Sequence, residues 1–539
     1  MWRKVWIKIT TTITGGAIII AVASVISRLL GLVRDRLLAS TFGAGDILDA
    51  YYAAFKLPDL IFNILVLGAL SSAFIPIFVR YLSKEQESGT QKETWYLANA
   101  LLNILMVGLV VLGGLFFIFA NKLVPLVAPG FDPARLAMTV QLTRIMLVAI
   151  VFFAASNVAT GILTSFKRYL NFAFAPVMYN VGIIFGILFL TSQYGIYGVA
   201  YGVVIGSVIH LLIQLPTVFK LGYRYKPVFN LKHEGVRKVG RLMLPRTFGL
   251  AVTQIDQLVS VIIGSTLAVG SVAVFNLATN LQSFPISVFG VSLAVAAFPV
   301  FSEAFARNDT KSFVEHFSKG FRRVVFLIIP ASVLILLLRA QIVRVVLGSG
   351  NFGWEDTILT AQTLGFFSLS LFAQALIPML ARSFYALEDT KTPVKVGLIA
   401  VAVNVVLGIT LSQVYGVIGL GLAFSIASVV NMLLLLVMLR KRVGDLDDTR
   451  IANSTLKILF ISSVMGLVVW GMKYFLALGV DMSTFVGVLI QGVGAGVVGI
   501  IVYLVLAVIM KCDEIRILTN WLKKTKQQLT PGNGNNSHS

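Results

Sequence analysis

A single cysteine, Cys512, excludes an internal disulfide and any multi-cysteine metal site. Histidine is nearly as scarce: His210, His233, His316 and His538 are scattered along the chain, which argues against a histidine-based metal or catalytic cluster. No phosphate-binding loop or ATPase segment occurs, so ATP is not the direct energy source. Charge is the largest deficit. Only 12% of the 539 residues are charged, against 57% hydrophobic, and the mean hydropathy is +0.90. Soluble domains do not have this composition, and no polar stretch is long enough to hold one.

What is present is a series of hydrophobic runs of about 20 residues, roughly fourteen in all, each long enough to span a bilayer. The first follows MWRKVWIK, lacks a small-residue cleavage site after a short apolar core, and reads as a retained helix. A net charge of +21 would suit nucleic acid, but its placement decides against that partner. Arg3, Lys4 and Lys8 precede the first run, and cations recur in connections such as Lys220 to Arg241, Arg307 to Arg323 and Arg440 to Lys457. The connections between, such as Gln193 to Tyr197 and Leu267 to Ser271, carry none. Cations on every second loop are the positive-inside signature, so both termini are expected to be cytoplasmic. Each such cation also favours anionic lipid headgroups by about 1 kcal/mol.

An internal repeat organises the chain, with a spacing of 221–225 residues. Ser40–Thr41 followed by Gly45 recurs as Ser265–Thr266 followed by Gly270; LGALSSAFIP, ending at Pro76, recurs as VSLAVAAFP, ending at Pro299; the stretch from Gly195 to Ser207 recurs from Gly416 to Ser428. The expectation is an all-α polytopic membrane protein of about 14 transmembrane helices, two pseudo-symmetric six-helix lobes plus two C-terminal helices. The lobes occupy 1–220 and 242–440, with a basic cytoplasmic linker at 221–241, a two-helix module at 441–510, and an amphipathic segment with a disordered cytoplasmic tail at 511–539. Pro76, Pro299 and Pro378 are expected kink points. Glycine patterns such as Gly198 to Gly202 are of the small-xxx-small kind that lets helices pack closely.

The stretch SVISRLLGLVRDRLLASTFGAGDILDA, from Ser24 to Ala50, sets Arg28, Arg34, Asp35 and Arg36 in an apolar helical run. An arginine near the middle of a membrane helix costs about 2.5–3.5 kcal/mol, so such residues face a bundle interior or a wet cavity and mark a substrate path. At the repeat spacing Arg28, Arg34 and Asp35 correspond to the neutral Thr253, Val259 and Ser260, so the fold does not demand the charges. Guanidinium suits phosphate or carboxylate, and Arg28 and Arg34 therefore form a candidate anion site; the alternatives are an internal pair with Asp35 or Asp49, or snorkelling. Arg36 is assigned to the structural role. Asp49 is expected to hold one of these cations, and Lys56 either extends a cationic cavity wall or sits at the interface. Asp256, with Ser260 one turn later, is either a coupling-ion or proton site or a structural hydrogen-bond acceptor.

SRLLGLVRDRLLASTFGAG, DAYYAAFKLPDL, SSAFIPIF, FPISVFGVSLAVAAFP and DTKTPVK together resemble the MurJ or MviN family, the lipid II flippases of bacterial peptidoglycan synthesis within the multidrug/oligosaccharidyl-lipid/polysaccharide exporter superfamily. The resemblance spans nearly the whole chain. It implies a lipid II flippase of the bacterial cytoplasmic membrane, moving undecaprenyl-pyrophosphate-linked disaccharide pentapeptide to the outer leaflet by alternating access. It places the residues matching Arg28, Arg34, Asp35 and Asp49 in the central cavity, and a groove for the lipid tail on the last two helices. It further implies a transporter rather than an enzyme, with no cofactor, energised by Na+ or H+ coupling or the membrane potential, functional as a monomer beside cell-wall synthesis proteins. The chain departs from the family soon after the KLP motif, where many members carry an arginine and this chain has Phe62 and Asn63, at Asn280, where many carry another, and at Ser260, where members described as binding sodium carry aspartate. Alternative functions are a flippase for another polyprenyl-linked oligosaccharide, a drug/cation antiporter, which would place carboxylates at the cavity centre, and a membrane-embedded glycosyltransferase, which would need a catalytic constellation in a membrane-face loop.

Overall fold

The computed structural model describes residues 13–67, 73–86 and 92–515. Part of the LGALSSAFIP stretch, the basic N-terminus and the amphipathic tail beyond residue 515 lie outside them. Lipid offers the backbone no hydrogen bonds, so a spanning chain must satisfy its own. Helices do so here, and there is no strand among the described residues. Among the described residues ten helices are long and apolar enough to cross a bilayer, and the pair Trp354–Ser368 and Leu371–Ala386, bent by 49°, brings the number to eleven when counted as one broken span.

The chain forms two compact units, one of Met1–Leu281, Val346–Thr363 and Val394–Ala427, the other of Gln282–Val345, Leu364–Pro393 and Ser428–Ser539. In the first, Leu97, Leu101, Leu105 and Leu109 recur every fourth residue along Lys92–Ile118 and form one buried stripe. It packs with Phe74 and Phe78, and with Ile150, Val158 and Ile162 of Pro133–Ser165. The opposite face is also apolar, with Val110 58% and Ile118 67% exposed, as expected of a helix whose outer solvent is hydrocarbon. Tyr169–Phe185 meets Ile196–Leu212 through glycines: a Cβ on Gly182 would lie 2.3 Å from the Cα of Gly206. Gly182→Ala is therefore expected to destabilise by about 1–3 kcal/mol through overpacking. A lower thermal unfolding midpoint of the purified protein checks this, with Gly108→Ala, which meets nothing within 4 Å, as the neutral control.

In the second unit, Gly492, Gly496 and Gly499 of Phe485–Ile509 lie against Gln341, Leu338 and Leu334 of Thr310–Val346, so these two helices run antiparallel in close contact. Beyond Ile509 the chain folds back, and Glu514 pairs with Arg322 at 2.6 Å. Both side chains are 5% exposed; a pair so deeply buried must be matched, because loss of either partner strands the other charge.

The spacing of the sequence repeat recurs in backbone conformation. π-helical turns at Asn63–Leu67 and Ile286–Val291 begin 223 residues apart. Left-handed residues pair likewise: Lys167 (φ 55°) with Glu388 (59°), Gly195 (55°) with Gly416 (59°), and Gly222 (94°) with Gly444 (97°). A carbonyl of the first π turn, that of Ile64, accepts from the Thr247 hydroxyl at 3.3 Å, which answers the need for a partner wherever the α-helical ladder is interrupted. The 49° bend falls ahead of Pro378, around Leu369. There the Ser368 and Ser370 hydroxyls turn back onto the carbonyls of Gly365 and Phe367 and compete with the helical ladder. The linker also ends earlier than the sequence suggests. Helix Glu234–Ser265 begins inside 221–241 because Val236 and Val239 bury into the first unit's core.

Candidate functional site

Helix Ile13–Phe42 positions the charged stretch. Arg34 folds onto its neighbour: its Nε and Nη2 donate to Asp35 Oδ1 at 3.0 and 2.8 Å. A third donor, Nη1, reaches Asn180 Oδ1 at 3.3 Å. Asn180 is itself fixed, its amide donating to the Ser27 carbonyl and hydroxyl and to the Pro176 carbonyl. The second oxygen of Asp35 accepts from Asn280 Nδ2 at 2.9 Å. The Arg34 fork is thus oriented from two directions while its side chain keeps 23% exposure, against 4% for Asp35. Arg28 is half-buried on the same helix and has no hydrogen-bonding or carboxylate partner among the described residues. On a helix Ser24, Arg28, Gly31 and Asp35 share a face. Arg36 donates to the Val346 carbonyl at 3.4 Å, in keeping with a structural role.

Asp49 sits elsewhere and does different work. Its carboxylate accepts from the backbone N–H of Gly270 at 2.7 Å and of Ala273 at 2.8 Å, at the start of helix Ser271–Pro285. A carboxylate at a helix N-terminus satisfies orphan donors and complements the dipole. Its nearest cation is Arg135, at 3.8 Å, so the structure does not bring Asp49 together with Arg28 or Arg34. Gly270 has φ 88°, and a Cβ there would meet the Ala44 carbonyl oxygen at 1.9 Å, so no other residue fits. Arg135 also pairs with Asp132 at 2.5 Å. Hydrogen bonds from the Arg135 backbone N–H and guanidinium hold the Asp132 carboxyl, on the preceding loop, below its usual range. At the same end, Asp356 accepts from Ala44 N at 3.2 Å, the Asn351 backbone N–H donates to the Ser40 carbonyl at 2.8 Å, and the Asn351 amide donates to the Thr41 carbonyl at 2.7 Å.

Lys56 opens helix Lys56–Phe62 and is half-buried, attracted by Asp59 one turn on. Asp59 lines an otherwise largely apolar cavity of about 180 Å³ with Phe62, Phe153 and Tyr179. Asp256 accepts from Asn404 Nδ2 at 2.7 Å, whereas the Ser260 hydroxyl donates to the Asp256 backbone carbonyl at 3.0 Å, not to its carboxylate. The other amide atom, Asn404 Oδ1, is buried without a donor.

The structure therefore unites Arg34 and Asp35, sets Asp256 and Ser260 one turn apart on Glu234–Ser265, and separates Asp49 from the arginines. Asn180, Asn404 and Arg135 were not singled out from sequence. The usable signal was a lone amide in an apolar run, since a polar side chain at membrane depth must find a partner.

A family model described as lipid II flippase MurJ matches residues 38–489. The lipid II flippase MurJ of Burkholderia cenocepacia is 31% identical over 427 residues, 78% of this chain and 82% of that protein. The probable lipid II flippase MurJ of Vibrio cholerae is 29% identical over 437 residues, 80% of this chain and 83% of its own length. Among solved structures, a lipid II flippase MurJ in an inward closed conformation superposes with a TM-score of 0.77 at 27% identity, covering 92% of this chain and 100% of that one. An inward-facing multidrug resistance MATE family transporter of the MOP superfamily superposes with a TM-score of 0.64 at 17% identity, covering 78% of this chain and 96% of its own, a likeness of fold alone.

Proposed function

The chain belongs to the lipid II flippase MurJ family, and from that premise we propose how its side chains turn lipid II, the undecaprenyl-pyrophosphate-linked disaccharide pentapeptide, from the inner to the outer leaflet of the bacterial inner membrane. It is a multi-pass transporter and not an enzyme. The observation that carries the proposal is an arginine without a partner, Arg28, on the same membrane helix as an arginine whose fork is held open by Asp35 and Asn180. The charge of Arg34 is matched by Asp35, so it is Arg28 that calls for an anion, with the N–H groups of Arg34 left over from Asp35 and Asn180 to orient it; the pyrophosphate supplies that anion while the isoprenoid stays in lipid. Lys56 extends the cationic wall.

The architecture proposed is fourteen spans. To the eleven described above it adds Ile13–Phe42, the broken segment that includes Asp46–Ala54, Lys56–Phe62 and Ile75–Gln86, and Glu234–Ser265. Lobes at 1–220 and 242–440, followed by the pair within 441–510, agree with the recurrence of π turns and left-handed residues. The cation-rich connections put both termini in the cytoplasm. On that orientation, the contacts of Asp49, Asp356 and Asn351 close the outer end, and substrate enters from the cytoplasmic side. Transport breaks this seal and opens the cavity outward, and the protein works as a monomer beside the cell-wall synthesis proteins.

A transporter needs a bias between its states. Asp256, with Asn404 and Ser260, is the proposed site for H+ or Na+, and membrane potential contributes about 2.3 kcal/mol per charge per 100 mV. Asp256→Asn is expected to flip lipid II at the rate the parent shows without an ion gradient, and to gain nothing when one is imposed; undiminished stimulation would remove Asp256 from the coupling path. The function itself is tested with the full chain in liposomes, by following labelled lipid II to the opposite leaflet. Acceleration is expected. A chain that leaves lipid II unmoved but flips another polyprenyl-linked glycan would redirect the substrate.

A further inference from the structure

Asp59 stands on the broken segment of the first unit, ten residues beyond Asp49 and so about 15 Å further along the helical path. A carboxylate that far inside a membrane segment is normally held. Asp35 is held by Arg34 and Asn280, Asp49 by the N–H groups of Gly270 and Ala273, and Asp256 by Asn404. Asp59 is the exception. Among the described residues its carboxylate accepts no hydrogen bond and forms no ion pair. The amide nearest in sequence, that of Asn63, donates at 2.8 Å to the Asp59 backbone carbonyl instead. Lys56, one turn earlier, is not among the residues that line the space beside Asp59.

That space is a cavity of about 180 Å³, six times the roughly 30 Å³ that one water takes up. Phe62 of the same helix, Phe153 of Pro133–Ser165 and Tyr179 of Tyr169–Phe185 give it aromatic walls. The ring centres of Phe62 and Phe153 are 5.8 Å apart and those of Phe153 and Tyr179 4.9 Å, so the three rings make one continuous surface. Phe55 and Met146 extend it, and Asp59 is the only charged side chain in the lining. One negative charge beside aromatic faces selects a cation, because the face of each ring carries the negative part of its quadrupole. A hard metal ion wants about six oxygen ligands, which this wall does not offer. A primary ammonium would bring three N–H donors to few acceptors. An alkylated ammonium meets the carboxylate with its charge and the rings with its carbon shell.

We propose that Asp59, Phe62, Phe153 and Tyr179 form a binding site for a small tertiary or quaternary alkylammonium cation. The ligand class is separate from lipid II, and the site goes beyond the flippase function without resting on it. Phe62 is also one of the positions at which this chain departs from its family. An arginine on that wall would repel a positive ligand, so the phenylalanine is what admits one.

The test uses the purified full chain in detergent, with radiolabelled choline as the probe. Saturable binding is expected, at least about tenfold tighter than that of 3,3-dimethylbutan-1-ol, which has the same shape with carbon in place of nitrogen and is measured by competition. Asp59→Asn is expected to weaken choline by at least about tenfold, and Phe62→Arg to abolish its binding. Phe62→Leu, which keeps an apolar wall, should retain part of it, so the two Phe62 variants separate added charge from lost fold. Lys56→Gln should bind choline as tightly as the parent or more so, because a nearby positive charge is gone. No saturable binding, equal competition by the alcohol, full competition by sodium ions at matched ionic strength, undiminished binding in Asp59→Asn, or weaker binding in Lys56→Gln would each overturn the site. Lipid II flipping by the unaltered chain is scored separately, and its failure would leave the choline result standing.

Discussion

Cells depleted of their own lipid II flippase are expected to grow when supplied with this chain and to lyse when supplied with Arg34→Ala at equal membrane abundance. Arg34 is the cation whose geometry is most completely prescribed, with Asp35 taking two of its donors and Asn180 a third. Charge-assisted hydrogen bonds contribute about 1.5–3 kcal/mol each. Removing the guanidinium deprives the pyrophosphate of its oriented donors and leaves Asp35 with only Asn280 among the partners described above. Loss of about 3 kcal/mol corresponds to roughly 100-fold in binding, enough to stop growth where precursor supply limits the wall. Arg34→Lys keeps the charge but cannot meet Asp35 and Asn180 with one fork, so an intermediate flipping rate is expected in liposomes. Full rescue by Arg34→Ala would move the phosphate site away from this helix.

The other large effect is expected at Asp49. Its two oxygens each take a backbone N–H, those of Gly270 and Ala273, in a position only 1% exposed. Asparagine has nearly the same shape but can accept only through its oxygen, and its NH2 group then faces another donor. Leaving one buried N–H unpaired costs about 1–3 kcal/mol, so Asp49→Asn should shift the balance towards the outward-open state by about 30-fold for a 2 kcal/mol change. Ala44, whose carbonyl lies against Gly270, is the place to read this. With Cys512→Ser as background, Ala44→Cys should react faster with an impermeant maleimide applied from outside when Asp49→Asn is present. Equal rates would show that the seal does not depend on this carboxylate.

Much of this is legible in the sequence. Hydropathy and loop charge report directly on the surrounding solvent, and so the helical, multi-pass character followed from composition. Arg28 and Arg34 stood out because charge in an apolar run has few explanations, and Asp35 because it adjoins them. Asp49 was the instructive case. The sequence showed a carboxylate needing a counter-charge, and Arg28 and Arg34 were the visible candidates; the partners were Arg135, at 3.8 Å, and, closer, the N-terminus of a helix more than two hundred residues away, whose partial charge belongs to the backbone and leaves no letter in the sequence. Asn180 and Asn404 were overlooked for a related reason, since an amide announces a hydrogen bond but not its address. The kink expected at Pro378 fell earlier because serine hydroxyls at positions 368 and 370 compete for carbonyls.

The two π turns at Asn63–Leu67 and Ile286–Val291 make chain length itself a constraint. A π turn holds one residue more than the α-helix around it, and each residue turns an α-helix by roughly 100°. Deleting a single residue within either turn would let it relax to regular helix with the phase kept on both sides, whereas the same deletion in the regular helix beyond would rotate everything past it by that angle and bring lipid-facing side chains into the interior. The most damaging lesion in these helices is thus a change of phase rather than of chemistry: an in-frame loss of one codon should be tolerated better within a π turn than in the regular helix beside it, even where every neighbouring side chain is apolar.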